Sequence, residues 1–448
     1  MQSGKLRHEG AARRGTTSLA RPRSRGIVSA ALSATLLGAT LTGCAGTPAA
    51  ETSELAFWGW NPAYEKVVDL WNSSHDKKVT FETTASGGKG GYAKMQAAVK
   101  AGNAPCLAQV GNESIPTLTV DGTLVDISQE VTSYREAFPD SAWAAMGVGE
   151  GTYGVPVDIA PLALFYRADV YKKFDLTPAT TWEQFAADSA KVRAADPHVY
   201  LSSFAPAITY QIAGFVQQAG GTWYSSENDQ WKVSMNGAET QSVADYWQKM
   251  MDEDLTKVTT PETPEWFAEI QKGTIASYVA PVWWTTVLEG AAKESAGKWR
   301  VAPIPNVDTT TPSTGTAGGS ATSVLTGCED VQGAVDFANW MSTDEGALKI
   351  LVDEAASFPA ATNGASIGSL SEPLDFYGGQ KVYEVFAAAA PTINPSWHFG
   401  PANTETENAY ADAMKPVLDD ERTMRDGLDV AQESLVDALT TKGLSVTQ

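Results

Sequence analysis

Residues 54–58, ELAFW, followed by Asn61-Pro62 and then Tyr64, Val67, Val68 and Trp71, decide the fold. The first run is short and apolar and reads as a buried strand. Asn61 is a good helix N-cap, and Pro62 suits the first helical position, where no N–H is needed. The four apolar residues that follow recur at helical spacing. Lys78 to Thr83 (KVTFET) alternates as a strand. After the glycine run 87–91 (GGKGG), Tyr92 to Ala101 predicts a helix with Met95, Ala98 and Val99 on one face, closed by Gly102. Leu107 to Val110 is the next strand. Strand and helix alternating in this way predict an α/β fold with a mainly parallel sheet.

The alternation continues. Ala163 to Tyr166 reads as a strand, and Thr181 to Gln184 (TWEQ) is a capping box opening a helix to about Ala195. Val243, Tyr246, Trp247 and Met250 form one stripe of a helix over 242–251. Ile275 to Val279 is a strand, Val331 to Met341 a helix, and Leu428 to Leu439 a late amphipathic helix. Asn306 to Ser323, rich in Thr, Gly and Pro, reads as a long loop. No repeat of 20 to 50 residues is visible.

The 448 residues carry a net charge of −21, which opposes binding to a phosphate backbone, so nucleic acid is not an expected partner. A hydrophobic content of 43% excludes wholesale disorder. Three Cys cannot build a disulfide scaffold, and four His scattered singly offer no metal site. GGKGG lacks the Lys-Ser/Thr of a phosphate loop and reads as a turn. No HExxH, CxxC or GxSxG occurs, so no catalytic residue and no cofactor is assigned. Carboxylate pairs for glycoside hydrolysis form in three dimensions and cannot be read from spacing.

The N-terminus has the layout of an export leader. Lys5, Arg7, Arg13, Arg14, Arg21, Arg23 and Arg25 precede the apolar run Ile27 to Leu41, which at about 15 residues is short for a membrane span. Leu41-Thr42-Gly43-Cys44 matches the bacterial lipobox. By that resemblance residues 1–43 are removed, Cys44 carries lipid, and 44–53 form a flexible tether. Without the seven basic residues and one acid of the leader, the remaining chain carries −27. Export permits disulfides. Cys106 and Cys328 are then expected to pair, the alternative being two buried free thiols.

LAFWGW (55–60), YAKMQAAVKAGNAPCLAQV (92–110), GTLVDI (122–127), YGVPVDIAPLALFYRAD (153–169), Thr181-Trp182-Glu183, Gly319-Ser320, Thr343 to Gly346, and Phe358-Pro359 follow one another along the chain. In these motifs the chain, from Leu55 to about Asp429, resembles the extracellular solute-binding proteins of ABC importers, the family-1 carbohydrate binders related to maltose-binding protein. Cys106 stands where the family usually has Asp. The resemblance implies a two-lobed α/β, type II periplasmic-binding-protein fold, hinged between the lobes. One lobe would hold 54–157 and 321–352, the other 162–317 and 359–448. Both cysteines fall in the first, which strengthens the expected pairing. It further implies a lipid-anchored monomer on the outer face of the membrane. That monomer would capture an oligosaccharide and deliver it to ABC permease subunits without bond chemistry.

Sugars present apolar faces and hydroxyl edges, so a site needs aromatic planes together with carboxylates or amides. Trp71 and Trp247 lie on apolar stripes and belong to the core. Trp60, Trp283, Trp284 and Trp397 fall where the family places ligand contacts. Of the neighbours Trp283 and Trp284, one should turn away. The polar candidates are Asn61, Asp158 (at the lobe crossing, where relatives use an acid for sugar hydroxyls), Asn112 and Glu113 after a strand end, and Ser320. Tyr210 and Gln211 complete the set. Two alternatives stay open: another solute, such as a peptide, polyamine or glycerol-phosphate, or a surface glycosidase.

Overall fold

The computed structural model describes residues 54–447 apart from 228, 229, 309, 356, 365 and 366. The leader, Cys44 and the tether lie outside the described residues. Ten strands, in chain order, build the main sheets: β1 (Leu55–Gly59), β2 (Val79–Thr83), β3 (Leu107–Gly111), β4 (Val155–Asp158), β5 (Leu162–Arg167), β6 (Ser202–Phe204), β7 (Thr256–Val258), β8 (Ser277–Pro281), β9 (Trp299–Pro303) and β10 (Ser320–Val324).

The first sheet has the order β2-β1-β3-β10-β4. β1 runs parallel to β2 and β3, while β10 is antiparallel to both of its neighbours. The second sheet centres on β5, flanked antiparallel by β8 and β9. The parallel pair β6–β7 joins it through Tyr200, which exchanges backbone hydrogen bonds with Thr274 and Ala276 at 2.8 and 2.9 Å. Parallel pairing therefore holds for β1–β3 and for β6–β7, whereas β10 with its neighbours and β5 with β8 and β9 are antiparallel. β5 and β10 follow crossings between the sheets and enter their new sheet against its direction. The run read as a loop to Ser323 ends instead in β10, buried throughout.

The chain passes from one sheet to the other at residues 159–161 and returns at 304–319. It passes a third time at Phe358-Pro359, where Ile159 donates to Phe358 O and Ala360 to Val157 O, each at 3.0 Å. Three strands of connecting chain thus lie side by side between two lobes.

Local chemistry sets the helix starts. Asn61 Oδ1 accepts the Ala63 N–H at 3.1 Å, and the regular helix Tyr64–Ser74 begins after that turn. Thr181 caps Trp182–Ala195 by accepting from Gln184 N at 3.2 Å. Gly102, at φ 70°, ends Gly91–Ala101. Tyr64, Val67, Val68 and Trp71 bury one helix face against the first sheet, with Phe337 edge-on to Trp71 at 5.3 Å. In the second lobe Trp247 stacks on Phe204 at 4.4 Å. Cys106, just before β3, is joined by a disulfide to Cys328, just after β10, with Cα atoms 4.6 Å apart.

Candidate functional site

A cleft of about 1030 Å³ lies between the lobes. One wall comes from the first lobe: Tyr92 on the helix Gly91–Ala101, Glu113 directly after β3, and Thr117 and Asp121 around the helix Ile115–Val120. The facing wall comes from the second: Tyr210, Glu262, Trp283, Trp397 to Gly400, and the start of the helix Asn403–Met414. A hydrogen bond bridges the walls where Asn403 N–H donates to Thr117 Oγ1 at 3.3 Å.

Trp283 is the exposed indole of the cleft. It is 37% exposed, and its Nε1 donates to Ala317 O at 2.9 Å, which fixes the ring. Trp397 is buried and packs against Trp223 and Phe399. Tyr210 stands exposed at the start of the helix Thr209–Gln218, its hydroxyl 3.4 Å from that of Tyr278. Glu113 accepts from Ser114 Oγ at 3.2 Å. Burial, and behind it the nearby Glu407 carboxylate, raises its pKa. Burial also raises Glu262 and lowers His398. Glu262 holds φ at 64°, an uncommon left-handed conformation for a non-glycine residue that Asp175, Asp254 and Asp420 share.

Asn112 and Asp158 meet Trp397 in a small pocket adjoining the cleft. Asn112 is 6% exposed, and its Oδ1 has no hydrogen-bond partner. Asp158 closes β4 and accepts at Oδ1 from Ser320 N and Oγ at 2.5 and 2.8 Å. Burial pushes its pKa up to about 6.

The remaining candidates lie elsewhere. Trp284 is a correction: it is fully buried, edge-on to Phe165 and Trp266 at 5.0 and 5.8 Å. Trp283 is the N-cap of the helix Trp284–Ala291, so the next side chain swings about 100° round the helix into the core. Trp60 and Asn61 line neither cavity; their backbone N–H groups donate to Gln109 Oε1 at 3.1 and 3.3 Å. Ser320 serves Asp158, and Gln211 is buried on its helix. Periodicity had no means of selecting Tyr92, Glu262, His398, Asn403 or Glu407, which reach the cleft from loops and helix ends.

The segment 317–320 ties this arrangement together. Ala317 O holds Trp283, Gly319 O accepts from Asn112 N at 3.2 Å, and Ser320 N holds Asp158. Gly318 and Gly319 lie at φ 104° and 102°. A Cβ on Gly319 would come within 2.6 Å of Asn112 Nδ2 and 3.0 Å of Asp158 O. Gly319→Ala is therefore expected to lower stability by about 1–3 kcal/mol and ligand affinity at least tenfold. Melting and calorimetric titration check both; unchanged affinity would show that Asn112 takes no part in binding.

Among the described residues no group of three His, Cys, Asp or Glu is placed to hold a metal ion. No helix among them is long and apolar enough to cross a membrane. The chain is 25% identical over 409 residues to the lactose-binding protein of Rhizobium radiobacter, covering 82% of this chain and 88% of the relative. It is 22% identical over 392 residues to the arabinooligosaccharide-binding protein of Bacillus subtilis (strain 168), covering 80% and 87%. A solved structure, the galacto-N-biose-/lacto-N-biose I-binding protein of the ABC transporter from Bifidobacterium longum in complex with lacto-N-biose, superposes with a TM-score of 0.75 at 26% identity, over 88% of this chain and 99% of that one. Residues 66–367 match the family model described as bacterial extracellular solute-binding protein, and the chain belongs to that family.

Proposed function

We propose that this protein is the substrate-binding component of an ABC importer and captures an oligosaccharide in the cleft between its lobes. The observation that carries the reading is the exposed, clamped indole of Trp283 facing a wall of carboxylates and amides. An aromatic plane takes the apolar face of a sugar, and acidic and amide groups take its hydroxyls. The relatives named for lactose, arabino-oligosaccharides and lacto-N-biose support the same ligand class. On this reading Trp283, Tyr210, Trp397, Glu113, Asn112 and Asp158 contact ligand. The protein is anchored by lipid on Cys44 outside the membrane, works as a monomer, presents the loaded form to permease subunits, and breaks no bond.

A cationic solute is the second reading. It is supported by Glu113, Asp121, Glu262, Glu405 and Glu407 around the cleft, against Lys442, which is already paired to Glu405 at 2.8 Å. A melting screen with lactose, lacto-N-biose, arabinotriose and spermidine separates the two. Sugars should raise the melting temperature and be recovered intact. A shift with spermidine alone would overturn the sugar reading, and released reducing ends would overturn the absence of catalysis.

Asp158 adds a pH dependence. Its folded pKa of about 6 exceeds the ordinary 3.8, so the folded protein takes up a proton as pH falls through 6, and that uptake stabilises the fold. Binding should go the other way, because protonation removes the negative charge that strengthens a hydrogen bond accepted from a sugar hydroxyl. Affinity is expected to fall below pH 6 while the fold holds. Asp158→Asn should flatten that portion of a calorimetric pH series, leaving whatever Glu113, Glu262 and His398 contribute.

A further inference from the structure

The small pocket holding Asn112 and Asp158 shares Thr316, Gly318, Trp397 and Phe399 with the cleft, yet measures about 20 Å³ against about 1030 Å³. A single water needs roughly 10–15 Å³ on this scale, so the pocket takes one hydroxyl-sized group and no sugar ring. Its walls come from both lobes. On the second-lobe side the polar atoms are engaged: Gln217 Oε1 accepts from Thr316 N and Oγ1 at 2.8 and 3.0 Å. Gln217 Nε2 donates to Asn394 O, and Asn394 Nδ2 to Gln217 O, each at 3.0 Å. On the first-lobe side Asn112 Oδ1 is buried without a donor, beside the Asp158 carboxylate. A buried acceptor left unmatched costs about 1–3 kcal/mol, so the pocket demands a donor.

We propose that this pocket is the blind end of the cleft, which receives one unsubstituted hydroxyl from the terminal unit of the bound sugar and thereby makes the protein a reader of chain ends. The inference rests on the carbohydrate reading above. The hydroxyl donates to Asn112 Oδ1, and a substituent on it meets the wall formed by Ile159, Ile393 and Pro395. Further units extend away from the pocket, under Trp283 and toward Glu113 and Glu407, where the cleft is wide. The pocket then fixes the direction of the chain, while the cleft tolerates its length.

The test is calorimetric titration of the wild-type protein with lactose, lacto-N-biose and arabinotriose, each alone and with single O-methyl or deoxy changes at one position. For a sugar that binds, O-methylation at one hydroxyl of one end unit should lower affinity at least about 100-fold, and changes on the opposite end unit should lower it less than about fivefold. Against Asn112→Ala, the parent sugar and its deoxy analogue at that hydroxyl should bind equally, because the partner of the missing group is gone. Methyl groups tolerated at every hydroxyl of both ends would overturn the inference and leave the carbohydrate reading standing. So would a crystal structure of the complex with water, and no ligand oxygen, beside Asn112 Oδ1. Absence of binding by all three sugars would overturn both.

Discussion

Trp284→Ala is expected to lower the unfolding free energy by about 3–5 kcal/mol, the range for truncating a fully buried large aromatic. Its ring is edge-on to Phe165 and Trp266 and tilted against Tyr278. One residue earlier, Trp283→Ala removes a ring that donates from Nε1 to Ala317 O and that solvent already reaches. That change should alter stability by less than about 1 kcal/mol. It should weaken sugar binding roughly 10- to 100-fold, the loss typical of an aromatic anchor. Denaturant unfolding and calorimetric titration of the two variants give opposite patterns on this account. Equal destabilisation by both would place Trp283 in the core and remove the aromatic plane from the proposed site.

Opening the Cys106–Cys328 disulfide is the second large effect. The two residues are 222 apart in sequence, and a cross-link over so long a stretch restricts the unfolded chain strongly. Cys106→Ala with Cys328→Ala is expected to cost about 2–5 kcal/mol and lower the melting temperature by several degrees. The bond sits at the far end of the β3–β10 pair from Gly111 and Ser320, the end that carries Asn112 and Gly318 at the small pocket, so sugar affinity should be unchanged. A drop in affinity together with stability would show that the bond also shapes the site.

Much of the first sheet was legible because its strands and helices are each encoded locally. Tyr64, Val67, Val68 and Trp71 mark their helix by spacing alone, and Gly102 marks a helix end by its conformation. β10 was not legible. Its sequence, SATSV, lacks large apolar residues, follows a Gly- and Thr-rich run, and is made into a strand by β3 and β4, some 160 to 210 residues earlier in the chain. The site divides in the same way. Asn112 and Glu113 follow a recognisable strand end, and Trp283 follows a recognisable strand. Trp60 and Asn61 look equally well placed, but Gln109 holds their backbone and Asn61 Oδ1 accepts from the Ala63 N–H in the turn before the helix. Glu262, His398 and Glu407 reach the cleft through tertiary packing, which leaves no trace in residue spacing.

The position of β10 between β3 and β4 has a consequence for the order of assembly. A chain emerging from its N-terminus presents β3 and β4 long before residue 320, and both then wait with an unpaired edge toward the gap. The strands β5 to β9 are complete before the missing strand arrives. The later-made sheet can therefore form first, and the earlier-made one is sealed last. In refolding followed by pulsed hydrogen exchange, β3 and β4 amides facing β10 should gain protection no sooner than those of β5. Earlier protection of β3 and β4 would contradict this sequence of events.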